Sequence, residues 1–299
     1  MESNRRAARA IERRLPHAKT LVENYELTVA QAMNAKAGLV VDVGGGRRCV
    51  FAKHRRSAAT IVAVDISAEE LSHNEDVDGR IVADATRHLP FETNSVEIVC
   101  SRSVVEHLEE VDGFLAEAHR VLKPGGLAVT LFPSKNAPSA LIKRTLPHSV
   151  GRQLLHLVKP GSTHFLGFRT YYDQCTLGAM EQALARHGFE IVETRVSYYQ
   201  ADYFEFLLPL YLINVAYELA ARSAHRTGLA ASVLIVARKK PSRAALAGER
   251  KRRAPEQRKA SVASLVGPHG AGFYARARSA GMTTSTFRLI QTGRSNRSA

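Results

Sequence analysis

The sequence predicts a doubly wound α/β fold: a seven-stranded sheet with helices on both faces and an inserted helical cap. Three observations predict it. Short apolar runs alternate with helix-like stretches through the middle of the chain, the pattern of a parallel sheet covered by helices. One run, Leu39-Val40-Val41-Asp42-Val43, passes straight into Gly44-Gly45-Gly46. Acidic residues, Asp42, Asp65 and Asp84, close three consecutive runs, at the sheet edge where ligands of such folds bind. The arrangement is Rossmann-like.

Strands are expected at Gly38–Val43, Thr60–Asp65, Arg80–Ala83, Val96–Cys100, Leu127–Phe132, Phe189–Val196 and Ser232–Ala237. Helices are expected at Leu21–Ala35, Val50–Ser57, Ala68–His73, Val111–Leu122 and Leu177–His187. Two segments stand outside this alternation and are placed to cap a pocket. Residues 138–173 are rich in His, Phe and Tyr, and residues 199–228 read as an apolar helical insertion.

The formal charge of +14 sits at the two ends. Residues 1–19 form a basic extension with 6 Lys and Arg against 2 Glu, and residues 241–299 carry 12 Lys and Arg against 2 Glu. Residues 20–240 are therefore formally neutral, which argues against a basic, nucleic-acid-binding fold. The tail after Pro241 loses apolar periodicity, gains the run Lys251-Arg252-Arg253 and reads as disordered. Cys49, Cys100 and Cys175 form no paired spacing, which excludes a disulfide framework and a zinc cluster and fits a reducing cytosol. The N-terminus lacks the apolar run of a signal peptide. The longest uncharged apolar stretch, Phe206 to Tyr217, is too short to span a membrane.

The glycine turn lets the backbone bend sharply and approach a ligand that a Cβ would block, although strand-to-helix turns use glycine for steric reasons alone. Asp65, nineteen residues past Gly46, can accept hydrogen bonds from both hydroxyls of a ribose. The same carboxylate can instead cap the following helix.

With these residues in order, the chain resembles the class I methyltransferases of the type 11 group. The resemblance spans about residues 38–133 and rests on five motifs. They are Val41-Asp42-Val43-Gly44-Gly45-Gly46; Val64-Asp65-Ile66-Ser67; Asp84-Ala85 followed by Leu89-Pro90-Phe91; Ser103-Val104-Val105-Glu106-His107-Leu108; and Arg120-Val121-Leu122-Lys123-Pro124-Gly125-Gly126. The resemblance implies a cofactor, S-adenosyl-L-methionine. It implies that Asp42, Gly44 and Gly46 surround the methionine part, that Asp65 and Ile66 meet the ribose end, that Asp84 and Ala85 face the adenine, and that Ser101 and Arg102 line the cofactor. Arg48 departs from the family, which often has a third glycine there. Cys49 stands where a dinucleotide fingerprint would need glycine.

Methyl transfer from a sulfonium is an in-line displacement, so alignment supplies much of the acceleration. A base is needed only where the acceptor must lose a proton. His107 is the candidate by position, while Glu106-His107-Leu108 also recurs in the family as a helix start. His148, His156, His164, Tyr171 and Tyr172 lie in the first cap segment. Glu106 and His107 alone do not make a coordination set, so no metal is expected.

The stretch Phe206-Leu207-Leu208-Pro209-Leu210-Tyr211-Leu212-Ile213 is either a core helix or dimer contact, or a lid over a hydrophobic acceptor or a patch resting on a membrane. The reading is a cytoplasmic enzyme methylating a small-molecule, hydrophobic or lipid-linked acceptor, with O-methylation favoured. Peripheral membrane contact and a homodimer stay open, and no stable nucleic-acid partner is expected. Two alternatives remain: an RNA or protein methyltransferase using the basic ends, and a non-catalytic cofactor-binding protein. Against the first, the fourth strand ends in Cys100-Ser101-Arg102-Ser103, with neither an Asn/Asp-Pro-Pro-Tyr sequence nor a Pro-Cys pair. Against the second, Asp42, Gly44, Gly46 and Asp65 are all intact.

Overall fold

Seven strands, β1 (Leu39–Val43), β2 (Thr60–Asp65), β3 (Gly79–Val82), β4 (Val96–Arg102), β5 (Leu122–Pro133), β6 (Phe189–Ser197) and β7 (Ser232–Lys239), form one sheet in the order β3-β2-β1-β4-β5-β7-β6. β3, β2, β1, β4 and β5 run parallel, and β7 runs antiparallel to both its neighbours. The order reverses between β1 and β4, so their C-terminal ends open a crevice at the switch point of the sheet. This computed structural model describes residues 2–15, 20–145 and 169–241, which lie within one unit, Met1–Lys240, apart from Pro241. All seven expected strands are present. β5 is the longest because it begins at Leu122, directly from the preceding helix. The tail expected at residues 241–299 lies outside the described residues apart from Pro241.

Strand alternation divides the core. From β1, Val40 faces one side and Val41 and Val43 the other. Helix α2 (Val22–Ala35) covers the first side, with Leu21, Tyr25, Val29 and Met33 at helical spacing against Val40, Ile61, Ile98, Cys100 and Val129. Helices α4 (Val111–Val121) and α6 (Leu177–Arg186) cover the second with Phe114, Leu115, Ala118, Met180 and Leu184. Helix α3 (Ala68–Ser72) is capped by Ser67, whose hydroxyl accepts the Glu70 amide at 3.2 Å. Between them, α5 (Pro138–Thr145) follows β5.

The expected helix at Val50–Ser57 does not form; only a 3₁₀ turn, Ala52–His54, is present. Its backbone partners lie elsewhere. Asn34 of α2 donates to the His54 carbonyl at 3.0 Å, and its Oδ1 accepts the amides of Arg56 and Ser57. Those bonds replace helical ones, and the run Lys53-His54-Arg55-Arg56 gives a helix no compensating charge pairs.

The second insertion contains helix α7 (Leu208–Ser223), whose buried face mixes apolar and polar residues. It buries Tyr211, Asn214, Val215, Glu218 and Ala221 while exposing Leu212, Ile213 and Leu219. The buried Glu218 Oε1 accepts Asn214 Nδ2 and the Gln200 amide, each at 2.7 Å, and Gln200 in turn accepts the Ser139 amide at 3.0 Å. The basic extension is helical too: α1 (Glu2–Glu12) lies on α7 through Ala8 and Ile11, clustered with Tyr199, Phe204, Tyr211 and Val215. Tyr211 donates its hydroxyl to the Ala8 carbonyl at 3.1 Å, Asn4 donates to the Phe206 carbonyl at 3.0 Å, and the Tyr199 hydroxyl bonds Glu12.

Candidate functional site

The glycine turn sits at the C-terminal end of β1. Gly44 adopts φ +68° and donates its amide to the Val64 carbonyl at 2.7 Å, and a Cβ there would come within 2.1 Å of Val104 Cγ2. Glycine is therefore required by conformation and by space. Gly46 also has positive φ, but a Cβ on it would find nothing nearer than 3.9 Å, so this residue faces open room. Asp65, at the end of β2, accepts the Gly46 amide on Oδ2 at 3.1 Å and the Ser67 amide on Oδ1 at 2.9 Å. Its carboxylate is thus fixed in orientation beside the open face of the turn, and Ile66 next to it is 63% exposed. The buried Asn74 clamps the turn from behind, donating to the carbonyls of Gly45 and Gly46 at 3.0 Å each. The sequence reading missed Asn74; a lone polar residue after a short helix carries no pattern that would single it out.

A cleft beside the turn is lined by Tyr25, Asp42, Gly44, Arg48, Val50 and Arg102. Asp42 is buried, and burial pushes its carboxyl up to about 7 against the opposing pull of the Cys49 thiol and the Arg102 guanidinium. Cys100 approaches it as well, with Sγ 3.8 Å from Oδ1. The Tyr25 hydroxyl is buried with no hydrogen-bond partner among the described residues. Tyr25 is not singled out by the sequence; the tertiary packing brings it to the cleft. Arg48, in sequence terms the missing glycine, supplies a cationic wall instead. No α-helix follows the turn, so no helix N-terminus is aimed at this cleft. A pyrophosphate would lack its usual cradle of helical amides there.

The remaining cofactor candidates separate. Asp84 faces its own turn, accepting the Thr86 amide at 2.9 Å and hydroxyl at 2.6 Å on Oδ1, with Arg87 3.4 Å from Oδ2. The Ala85 side chain is buried in the core. Ser101 is fully buried on the opposite side of the sheet from Asp42, and its hydroxyl donates to Thr130 across the strand pair at 3.3 Å. Strand alternation turns the Ser101 side chain away from this cleft, whereas Arg102 lines it.

His107 lies in a 3₁₀ turn, Val105–His107, after β4 rather than on an α-helix. Its Nδ1 is 2.9 Å from the Arg169 carbonyl, which only accepts, so the neutral ring carries its proton on Nδ1. Nε2 is the basic nitrogen and stands 3.9 Å from Oε1 of the buried Glu106. The Glu106 carbonyl accepts the amides of Tyr171 and Tyr172 at 2.8 and 3.1 Å, which ties the end of the first cap segment to this turn. Burial and the Glu106 charge hold the Tyr172 phenol in its protonated form. His148, His156 and His164 lie outside the described residues. Among the described residues, no three His, Cys, Asp or Glu side chains come together as metal ligands, and no helix is long and apolar enough to cross a membrane.

Comparison with known proteins falls on this same stretch. Residues 41–130 match the family model for a methyltransferase domain. An uncharacterized methyltransferase from Mycobacterium sp. (strain KMS) is 32% identical over 114 residues, 38% of this chain and 45% of that protein. The ubiquinone/menaquinone biosynthesis C-methyltransferase UbiE of Desulfotalea psychrophila is 34% identical over 119 residues, 36% of this chain and 48% of its own. A ubiquinone biosynthesis O-methyltransferase from Bradyrhizobium sp. (strain ORS 278) is 32% identical over 113 residues, covering 36% and 45%. The chain spans about half the length of these curated relatives. Residues 41–130, which hold the glycine turn, Asp65, Asp84 and His107, thus match the class I methyltransferases that their motifs resemble.

Proposed function

We propose that the chain is an S-adenosylmethionine-dependent methyltransferase acting on a hydrophobic small-molecule acceptor, with an oxygen atom favoured as the methylated position. The observation that carries this reading is the fixed Asp65 carboxylate against the open face of Gly46. Each carboxylate oxygen already holds one amide and keeps lone-pair capacity for a ribose hydroxyl. The buried Asp42 carboxyl with the Arg48 and Arg102 guanidiniums presents both charges at one cleft, which suits the zwitterionic end of an amino acid. The buried Tyr25 also lines this cleft. Ile66 offers an exposed apolar surface to a flat ring, and Asp84 and Ala85 border the adenine through their turn. Gly44 and Gly46 let the backbone close on the methionine chain.

When bound, the cofactor supplies an electrophilic methyl group on a sulfonium. The chain's own residues bind, orient and accept a proton. His107 Nε2, with its tautomer set by the Arg169 carbonyl and Glu106 Oε1 3.9 Å away, is the base for an acceptor hydroxyl. The names of the quinone-pathway relatives support a hydrophobic acceptor, as does the aromatic content of the cap segment.

The test is incubation of the full chain with methyl-labelled S-adenosylmethionine and solvent extracts of cells. The expected result is label in the organic phase, and a loss of about 10²–10⁴-fold in His107→Ala with S-adenosylhomocysteine affinity retained. Cofactor binding without transfer to any acceptor would favour the non-catalytic reading, and label in RNA or protein the macromolecular one.

A further inference from the structure

We propose that the α1–α7 surface is a docking platform for an anionic lipid bilayer, independently of which reaction the domain performs. The sides of α7 carry the argument. Leu208, Val215 and Leu219 recur at helical spacing with Leu212, and Leu208 and Val215 pack in the cluster that also holds Ala8 and Ile11 of α1. Leu212 and Leu219 therefore emerge along the border of α1, and both are more than two-fifths exposed. Ile213, at 66%, and Leu207, at 45%, extend the apolar face. The element that could have buried these leucines buries Asn214 and Glu218 instead. A helix that buries Asn214 and Glu218 beside Tyr211 and Val215, yet leaves Leu212, Ile213 and Leu219 exposed, is oriented for an apolar phase outside the protein.

Helix α1 supplies the matching charge. Asn4, Ala8 and Ile11 face α7, leaving Arg6, Arg9 and Arg13 turned to solvent with Arg14 beside them. Several acidic groups lie beside this helix. Glu2 pairs with Arg6 at 2.7 Å, Glu12 is bonded to Tyr199, and Glu205 lies 3.9 Å from Arg9. Glu218 faces inward. The outer row is thus net cationic, next to exposed leucines. That pairing is the signature of an interfacial surface, in which apolar side chains enter the acyl boundary while arginines meet lipid phosphates. A nucleic acid would match the arginines but leave the leucines without a partner.

The chain contains no Trp, so Leu212→Trp introduces a single indole at the centre of the patch. With the full chain, vesicles of phosphatidylglycerol and phosphatidylcholine should shift its emission to the blue and co-sediment it, whereas vesicles of phosphatidylcholine alone should do neither. Replacing Arg6, Arg9 and Arg13 by Gln should weaken partitioning by about fivefold for each arginine, with an unchanged circular dichroism spectrum. Sedimentation with vesicles while the indole stays unshifted would mean that the basic tail alone holds the protein, and would overturn the proposal. So would partitioning indifferent to the three arginines. Conversion of a dimer to a monomer by Leu212→Ser with Leu219→Ser would identify the face as a subunit contact and overturn it equally.

Discussion

Replacing Asp65 by Ala tests the cofactor reading most directly, and the structure separates its two consequences. The carboxylate accepts two backbone amides, from Gly46 and Ser67. Removing it leaves both donors to water, because the site is partly exposed, so the fold should lose only about 1–2 kcal/mol. Helix α3 should persist, because its cap is the Ser67 hydroxyl and not Asp65. The effect on ligand should be larger. Charge-assisted bonds to a ribose are worth roughly 1.5–3 kcal/mol, which raises Kd about 10- to 150-fold. Isothermal titration with S-adenosylhomocysteine, on variant shown folded by thermal melting, reads this out. Asp65→Asn is the companion: it keeps one acceptor but turns an NH₂ group towards one of the amides, and should weaken binding comparably. An unchanged Kd in folded Asp65→Ala would refute the assignment and leave Asp65 as a support for the turn.

Asp42 should make stability fall as pH rises. Its folded pKa, about 7, lies above the ordinary carboxyl value of 3.8, so the native state holds the extra proton between the two. Its stabilising contribution is full below about pH 4 and is lost as pH rises through 7, by a few kcal/mol in all. Urea midpoints across this window should lose that component in Asp42→Asn; parallel profiles for the two proteins would contradict it. A cation bound beside Asp42 should expel its proton, so calorimetry of cofactor binding near pH 6 should depend on the buffer's ionisation enthalpy in the parent and not in Asp42→Asn. The buried Lys239 donates to Asn94 Oδ1 and the Leu122 carbonyl at 2.8 Å each and to the His119 carbonyl, closing the end of α4. Lys239→Met should cost about 2–3 kcal/mol by orphaning those acceptors, a fall in Tm of several degrees that an unchanged melting curve would rule out. Leu208→Ser should destabilise by roughly 1.5–3 kcal/mol because Leu208 packs between α1 and α7, whereas Leu212→Ser should leave Tm unchanged; equal effects would show that the two leucines share one environment.

The sheet was legible because its strands are short apolar runs rich in β-branched residues, the first three of them closed by Gly or Asp. The glycine turn and Asp65 were legible for the same reason, since their roles follow from where the strands stop. Three things were not. The helix expected at Val50–Ser57 fails through bonds from Asn34, whose side chain gives no local hint that it will take over that backbone. The seam of α1 consists of Asn4, Ala8 and Ile11, too little apolar surface to stand out among arginines, and its partner lies some two hundred residues away. On α7, hydropathy misleads outright: Leu212 and Ile213 mark the outside, while Asn214 and Glu218 face a polar pocket built by Gln200 and Ser139. Strand alternation, which the motif alone does not show, sets the Ser101 side chain on the far side of the sheet from Arg102.

The position of β7 has a consequence for how the protein is made. It is the last strand among the described residues, yet it lies between β5 and β6. Until Ser232–Lys239 has emerged from the ribosome, one edge of β5 stays open and β6 has no partner. The roughly one hundred residues between Pro133 and Lys239 take about 5–20 s to synthesise. Throughout that interval Leu127–Phe132 offers an apolar backbone edge to any neighbouring nascent chain. The ribosome-bound half-sheet is therefore the stage at which this polypeptide is most exposed to mispairing, and a chaperone that shields residues 122–133 would act before β7 arrives to close it.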